Sequence, residues 1–542
     1  MPQTYFQAAS PISRLAVIVF SLSIFTGGSA SAALPAPVSM FPAAQPGLKT
    51  DSGPLVPRQK RAPTRSSKTK RPAKARPVTP ARLTWTAPHG ASALSDAVGN
   101  ALSSHTRSGG WGAIIVSLTR GDTLYAQNPD AMMQPASTMK MYTSAVALDR
   151  FGADFTFRTP ALRDGTINPD GSLSGNLYLR GVGDPSLSSR FWHDQEPMDV
   201  LAKQIAAAGI KRVRGDIIGD ATAFDDKLVP DGWKTSYLGA SYAARVSALS
   251  LNENLVWVVV KPEGSKASVT LDPATTSMNV DASVRVVAGT GGRISASRRP
   301  DGTITVRGTV GARSGPLKYS LVVDNPALFS TGALRASLQK VGVTVDGTTK
   351  LGSVPASATE VAALSSPPLA QIIGEMDRES INLFAELLYR DAARSSNTQV
   401  GTAETALANL REFLSKKVGT LPTVVDVADG SGLSLNDRVT PRSMVQLLGY
   451  VHQADWGPTF HAALPVEGES GTLKRHGKGT PSRGNLHAKT GTTNTVAALG
   501  GYVTAKNGEV LAFSLIYNGS DRWNAKTAMD QIGATMAEFV RE

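Results

Sequence analysis

The sequence predicts a multidomain α+β protein, in which a domain of mixed helices and strands is interrupted by a long β-rich insertion. Three observations point there. Helical patterns and strand pairs occupy both ends of the globular part, from about 93 to 155 and from about 368 to 542. Between them, residues 155–354 hold short β-like runs separated by Gly and Pro turns. The composition, 41% hydrophobic and 18% charged over 542 residues, is that of a folded chain. At roughly 150 residues per domain it predicts about three folding units.

In chain order, the first element is a targeting segment. Arg14 is followed by the apolar run Leu15–Phe25, a break at Gly27-Gly28, and the A-x-A site Ala30-Ser31-Ala32. That run is too short to span ~30 Å of hydrocarbon, so 1–32 reads as a cleaved export signal and not as an anchor. There is no cysteine, so an exported form relies on its core without disulfides. No later segment is long and apolar enough to cross a membrane, and the mature protein reads as soluble.

Residues 33–88 are rich in Pro, Ala, Ser, Lys and Arg and predict a disordered linker. The net charge of +13 is concentrated there: eleven basic residues between Lys49 and Arg82 face one acid, Asp51. That tail carries +10, and once Arg14 is set aside with the signal, the rest carries +2. The charge therefore does not mark the body as a nucleic-acid binder. The tail reads either as a tether for anionic envelope polymers or as a solvated spacer.

WGAIIVSLTRGDTLYA at 111–126 predicts two strands. After Pro135, STMKMYTSAVALDRF predicts a helix with Met141, Ala145 and Leu148 on one face. Within the insertion, 327–340 reads as a helix. The segment 368–395 carries two apolar stripes, Leu369, Ile372, Ile373 and Met376, then Leu383, Phe384, Leu387 and Leu388, with a break across Arg378–Asn382. Helices are expected near 402–417 and 440–453, three strands across 485–517, and a packed terminal helix with Ile532, Met536, Phe539 and Val540 on one face.

Three motifs carry chemistry. Ser137-Thr138-Met139-Lys140 is S-x-x-K, Ser380-Ile381-Asn382 is S-x-N, and Lys489-Thr490-Gly491-Thr492 is K-T-G followed by Thr. The trio belongs to penicillin-interacting serine enzymes. S-x-x-K also occurs at Ser67–Lys70 and Ser337–Lys340, and S-x-N recurs elsewhere; order and placement single out this set. At i, i+3 a serine and a lysine share a helix face. The hydroxyl needs an adjacent base, and lysine serves once burial or a nearby cation lowers its pKa; Lys489 is such a cation. On a strand, Lys489 and Gly491 point to one face and Thr490 and Thr492 to the other.

With GVGDPSL at 181–187, GDIIGDATAFDD at 215–226, VSALSLNEN at 246–254, DGSGLS at 429–434 and GTLKRH at 471–476, the sequence from about 90 to 542 resembles the D-Ala-D-Ala carboxypeptidase/endopeptidase family of class C low-molecular-mass penicillin-binding proteins. The resemblance implies a penicillin-binding, transpeptidase-like antiparallel sheet flanked by helices (89–160 and 355–542), interrupted by two smaller β-rich domains (161–354, with a nested insert at about 188–259). It implies Ser137 as the acylated nucleophile, Lys140 as its base, and Ser380 and Asn382 in the proton relay. Lys489, Thr490 and Thr492 hold the substrate carboxylate, and the N–H groups of Ser137 and Thr492 form the oxyanion hole. Peptidoglycan stem peptides are the implied substrates and β-lactams the covalent inhibitors; no cofactor is expected, and seven dispersed histidines without an H-E-x-x-H give a metal little support. Two positions depart from the family pattern. Ile381 replaces the usual Asp, and Leu435 stands where an Arg often reads the stem peptide, leaving Arg438 as the nearest candidate. Trp233 and Tyr242 are candidates to cap the substrate, with domain core as the alternative for both, and His487 is expected at the cleft rim or in packing. A β-lactamase would need a glutamate in an E-x-x-L-N segment between S-x-N and K-T-G, and none is present; Glu404–Asn409 is off by one. A non-catalytic wall binder would be expected to have lost part of a motif, and all three are complete.

Overall fold

The computed structural model describes residues 83–394 and 399–542. The expected signal at 1–32 and the basic segment up to Arg82 lie outside the described residues. The catalytic-domain sheet has strands β1 (Gly110–Ser117), β2 (Thr123–Gln127), β3 (His487–Thr492), β4 (Val496–Thr504) and β5 (Val510–Asn518). They pair in the order β2-β1-β5-β4-β3, antiparallel throughout, so β3 is an edge. The helices that position the site are α1 (Ala91–His105), α2 (Met139–Phe151), α3 (Leu369–Glu379), α4 (Asn382–Ala392), α5 (Pro441–Gln453) and α6 (Arg522–Ala537), and Ala403–Phe413 and Gly457–Ala463 are also helical.

Both faces of the sheet are covered. In β5, Leu511, Phe513, Leu515 and Tyr517 join one core with Leu94 and Val98 of α1 and Ile532 of α6. Ala512 and Ile516 join a second core with Met141 of α2 and Met444 and Leu448 of α5. Double-sided burial explains why VLAFSLIYN reads as an apolar run and not as an alternation. Each fully buried Leu or Phe contributes about 1.5–3 kcal/mol.

The break expected between α3 and α4 is Ser380, in the left-handed region at φ 59°. The terminal helix ends earlier than its apolar pattern suggests. α6 stops at Ala537, and Val540 instead pairs with His89. The Val540 N–H donates to Pro88 at 3.1 Å, and the Thr86 N–H donates to Thr535 at 3.4 Å. This corrects the expectation of disorder up to residue 88: its last residues lie against the C-terminal strand bridge.

The chain crosses into the insertion where Phe157 and Ser366 exchange two hydrogen bonds, 2.8 and 3.0 Å. Beyond that clamp, Arg158–Arg163 pairs with Thr359–Ser365 in the inserted five-stranded sheet, so the crossing sits at 157/366 and not at 160/355. The insertion has its own core and a separate six-stranded sheet spanning Leu255–Val322. That sheet, and not 188–259, is the nested unit. The stretch 188–254 holds a helix (Pro197–Ala207), short strands of the parent sheets and a run of turns. The strand Leu255–Glu263 pairs forward with Lys266–Asp272 through a tight turn at Gly264 (φ 65°), so it opens the nested sheet where the sequence reading had it close one. The turn-rich run 221–254 reaches back to the outer domain, where Trp233 bonds to Asp429 and the Tyr242 carbonyl accepts from Asn382.

Candidate active site

The predicted nucleophile, Ser137, sits on a constrained turn. Ala136–Thr138 is a single 3-10 turn leading into α2, and Ala136 has φ 46°, a strained value for a residue with a Cβ. Two glycines press on this turn. A Cβ at Gly491 would lie 2.7 Å from the Pro135 carbonyl oxygen, and one at Gly432 1.8 Å from that of Ala136. The K-T-G strand and the DGSGLS loop thus close on Ser137 from two sides, at contacts that only glycine permits.

One turn on, Lys140 is fully buried. Its Nζ donates to Ser137 Oγ at 3.1 Å, to Asn382 Oδ1 at 2.6 Å and to the Ser431 carbonyl at 2.8 Å. Burial pulls its pKa down to about 8, against the opposing pull of Asp429, Asp377, Glu386 and Asp437. The other S-x-x-K on a helix, Ser337–Lys340, lacks this setting: Lys340 is exposed and both side chains bind Asp199. Asn382 is itself oriented, its Nδ2 donating to the Tyr242 carbonyl at 2.8 Å.

Across the cleft, Lys489 is also fully buried and donates to Ser380 Oγ at 2.9 Å and to the Thr490 carbonyl at 3.1 Å. Burial and the nearby Lys140 charge lower its pKa. The buried carboxyl of Asp377 on α3 interacts with both lysines and accepts from Ser144 at 2.7 Å; burial raises it above the ordinary carboxylate range.

The 429–434 loop is held from beneath. Asp429 accepts from the N–H groups of Ser431, Gly432 and Ser434 and from Trp233 Nε1, at 2.6–3.0 Å. Buried Glu386 accepts from the N–H groups of Gly430 and Ser431 and from Arg390. Together these bonds fix the Ser431 carbonyl that Lys140 uses.

Six candidates behave differently from the core group. Thr490 Oγ1 donates to Thr472 at 2.7 Å, and with Thr492 it lines a cavity against α6. Arg438 is turned back on its own loop, bonded to the carbonyls of Leu435 and Asp437, which sets its guanidinium away from the role of a free stem-reading arginine. Trp233 is 8% exposed and packs with Tyr237 and Ala243; as a core residue that props Asp429, it does not cap the cleft with an open ring face. Tyr242 stays half exposed at the rim. His487 packs against His461, ring centroids 4.3 Å apart and planes tilted by 31°.

Residues 95–539 match the model of the D-Ala-D-Ala carboxypeptidase 3 (S13) family. The chain belongs to that family. A D-alanyl-D-alanine carboxypeptidase of Actinomadura sp. strain R39 is 35% identical over 448 residues, covering 79% of this chain and 81% of that one. The D-alanyl-D-alanine carboxypeptidase DacB of Haemophilus influenzae is 25% identical over 75% of this chain and 85% of that one. The fold is that of penicillin-binding protein 4 from the same bacterium, with a TM-score of 0.67 at 23% identity over 80% of this chain and 97% of that one.

Within this S13 member, sequence reasoning overlooked Asp377 and gave no role to Glu386, Asp429 or Thr472, although Asp429 and Thr472 stand in motifs that carry the resemblance. Glu386 carried a misleading signal: Asn382, Glu386 and Arg390 recur at i, i+4 and i+8 as a polar stripe that reads as a solvent face, and only packing buries the Glu386–Arg390 pair. Asp377 carried none, because its partners come from α2 and β3.

Proposed function

We propose that this S13 enzyme cleaves the terminal D-Ala-D-Ala bond of peptidoglycan stem peptides through an acyl-enzyme on Ser137, with Lys140 as general base. One observation carries the assignment. Lys140 Nζ has three neighbours, and two of them, Asn382 Oδ1 and the Ser431 carbonyl, are pure acceptors. A neutral amine has two N–H bonds, which those acceptors claim. Its lone pair is then left for the hydroxyl of Ser137.

In the acylation step, Lys140 takes the Ser137 proton as Oγ bonds to the carbonyl carbon of the penultimate residue. The N–H groups of Ser137 and Thr492 hold the oxyanion. The Ala488 N–H already points out of the sheet, to the Pro465 carbonyl at 2.9 Å, so by the period of two the Thr490 and Thr492 N–H groups point to the same open edge. The proton moves on through the Ser380 hydroxyl to the amide nitrogen, the C–N bond breaks, and D-alanine leaves. Water then attacks the ester, again losing its proton to Lys140, and Ser137 is restored. Lys489 with Thr490 and Thr492 anchors the substrate carboxylate, and Gly491 keeps that strand against the nucleophile. With burial, the Lys140 charge lowers the pKa of Lys489, and a bound carboxylate, by giving Lys489 a counter-charge, favours the proton there and a neutral Lys140. A β-lactam acylates the same serine, but its leaving amine stays tethered, and the acyl-enzyme persists.

Export on the leader at 1–32 brings the enzyme to a substrate that lies outside the cytoplasmic membrane, and the basic tail at 49–82 serves as an electrostatic tether to anionic envelope polymers. Among the described residues no helix is long and apolar enough to cross a membrane.

The test is release of D-alanine from a soluble D-Ala-D-Ala peptide together with labelling by a fluorescent penicillin. Label on Ser137, and loss of both activities in Ser137→Ala, is the expected result. Label on another serine, or rapid turnover of penicillin, would overturn it.

A further inference from the structure

Three carboxyls are fully buried beneath the 429–434 loop: Glu386, Asp429 and Asp437. Glu386 is offset by the Arg390 guanidinium at 2.8 Å. The two oxygens of Asp429 take four N–H groups, from Ser431, Gly432, Ser434 and Trp233. Asp437 takes one, from Ala428 to its Oδ1 at 2.8 Å. Its Oδ2 is also buried and meets no donor among the described residues. The side chain faces instead the Asp429 carboxyl, within hydrogen-bonding reach. Two ionised carboxylates do not share such a contact, and N–H donors favour the charge on the group they point at. Asp429, with four donors, is therefore the anion, and Asp437, with one, keeps a proton.

We propose that Asp437 works as a neutral carboxylic acid and is a positioning residue for Lys140. Its Oδ1 accepts from Ala428 and its Oδ2–H donates to Asp429. Asp429 in turn holds the Ser431 and Gly432 N–H groups, which fixes the Ser431 carbonyl against Lys140 Nζ. Asp437 sits at the neck of the loop, beside the pairing of Val425 with Val439 and Asp426 with Arg438, so its two bonds tie both limbs of the loop to the buried anion. The surrounding groups favour the neutral form. Burial, Asp429 and Glu386 hold its carboxyl well above the usual carboxylate range. Tyr389 is a buried phenol, itself held in the neutral form, and Arg390 is engaged by Glu386. A neutral Asp437 also withdraws one of the four acids that hold the proton on Lys140; the role rests on the reading of Lys140 as the base.

The test uses the full-length chain freed of its leader, as wild type, Asp437→Asn and Asp437→Ala. Asparagine offers the acceptor and the donor of the protonated acid, so Asp437→Asn should react with a fluorescent penicillin within about twofold of wild type, along the same pH limb. Asp437→Ala loses both bonds and should react at least about tenfold more slowly, because Lys140 is no longer held in register. An ionised Asp437 gives a different result: the asparagine would then remove a buried negative charge, lower the pKa of Lys140 and move the limb to lower pH. That shift, or Asp437→Asn as slow as Asp437→Ala, overturns the proposal, as does Asp437→Ala at the wild-type rate. Infrared difference spectra of wild type and Asp437→Asn at about pH 8.5 read the proton directly and need no alanine variant. The wild type should show an extra protonated-carboxyl stretch, and its absence overturns the proposal. A wild type without a rising limb overturns Lys140 as the base and the positioning role with it, while the infrared band still reports the proton on Asp437.

Discussion

The sharpest consequence of the geometry is a pH profile. Acylation of free enzyme requires neutral Lys140, whose pKa stands at about 8 instead of 10.5. At pH 7 the neutral fraction is then ~9%, against ~0.03% for an ordinary lysine, a gain of ~300-fold or ~3 kcal/mol in available base. The sign follows from the direction of the shift. Below pH 8 the ammonium dominates and the second-order acylation rate should climb about tenfold per pH unit; above it the rate should level off. The assay is the acylation rate with a fluorescent penicillin from pH 5.5 to 9.5. Lys140→Arg is the companion variant, since a guanidinium stays protonated throughout; it should lose the rising limb and ~10²–10⁴ of the rate. A flat wild-type profile between pH 6 and 8, a rise continuing toward 10.5, or a limb that survives in Lys140→Arg would refute Lys140 as the base.

Other outcomes follow from contacts around the site. Gly491→Ala puts a methyl 2.7 Å from the Pro135 carbonyl and should push β3 off the nucleophile turn, so penicillin labelling should fall by an order of magnitude or more in protein whose circular dichroism is unchanged. Glu386→Ala strands the buried Arg390 guanidinium and releases the 429–434 loop, a loss of about 3–5 kcal/mol that should appear as a lower melting temperature. A chain starting near Ala91 should hydrolyse a small peptide at the rate of the longer form, yet only the longer form should sediment with cell envelopes at low salt and come off at high salt; equal sedimentation would make the tail a spacer.

What the sequence determined by itself was whatever depends on local period. Ser137 and Lys140 share a face because a helical turn is 3.6 residues, and the same constraint makes Lys489 and Thr490 diverge on a strand. Motif order, the long β-rich insertion and the break at Ser380 were legible for the same reason. Tertiary structure decided the rest. Lys140 and Asn382 lie 242 residues apart, and no periodicity reports that Asn382 will accept from it, or that Asp377 will sit between two lysines. The nested sheet was misplaced because a strand's partner is chosen by pairing and burial, not by its own residues. Trp233 reads the same in sequence whether its ring faces a substrate or, as here, its Nε1 donates to a buried carboxylate 196 residues away. The lowered pKa of Lys140 is likewise a property of the packed interior: water is removed from the amine only once α2, α4 and the 429–434 loop have closed around it.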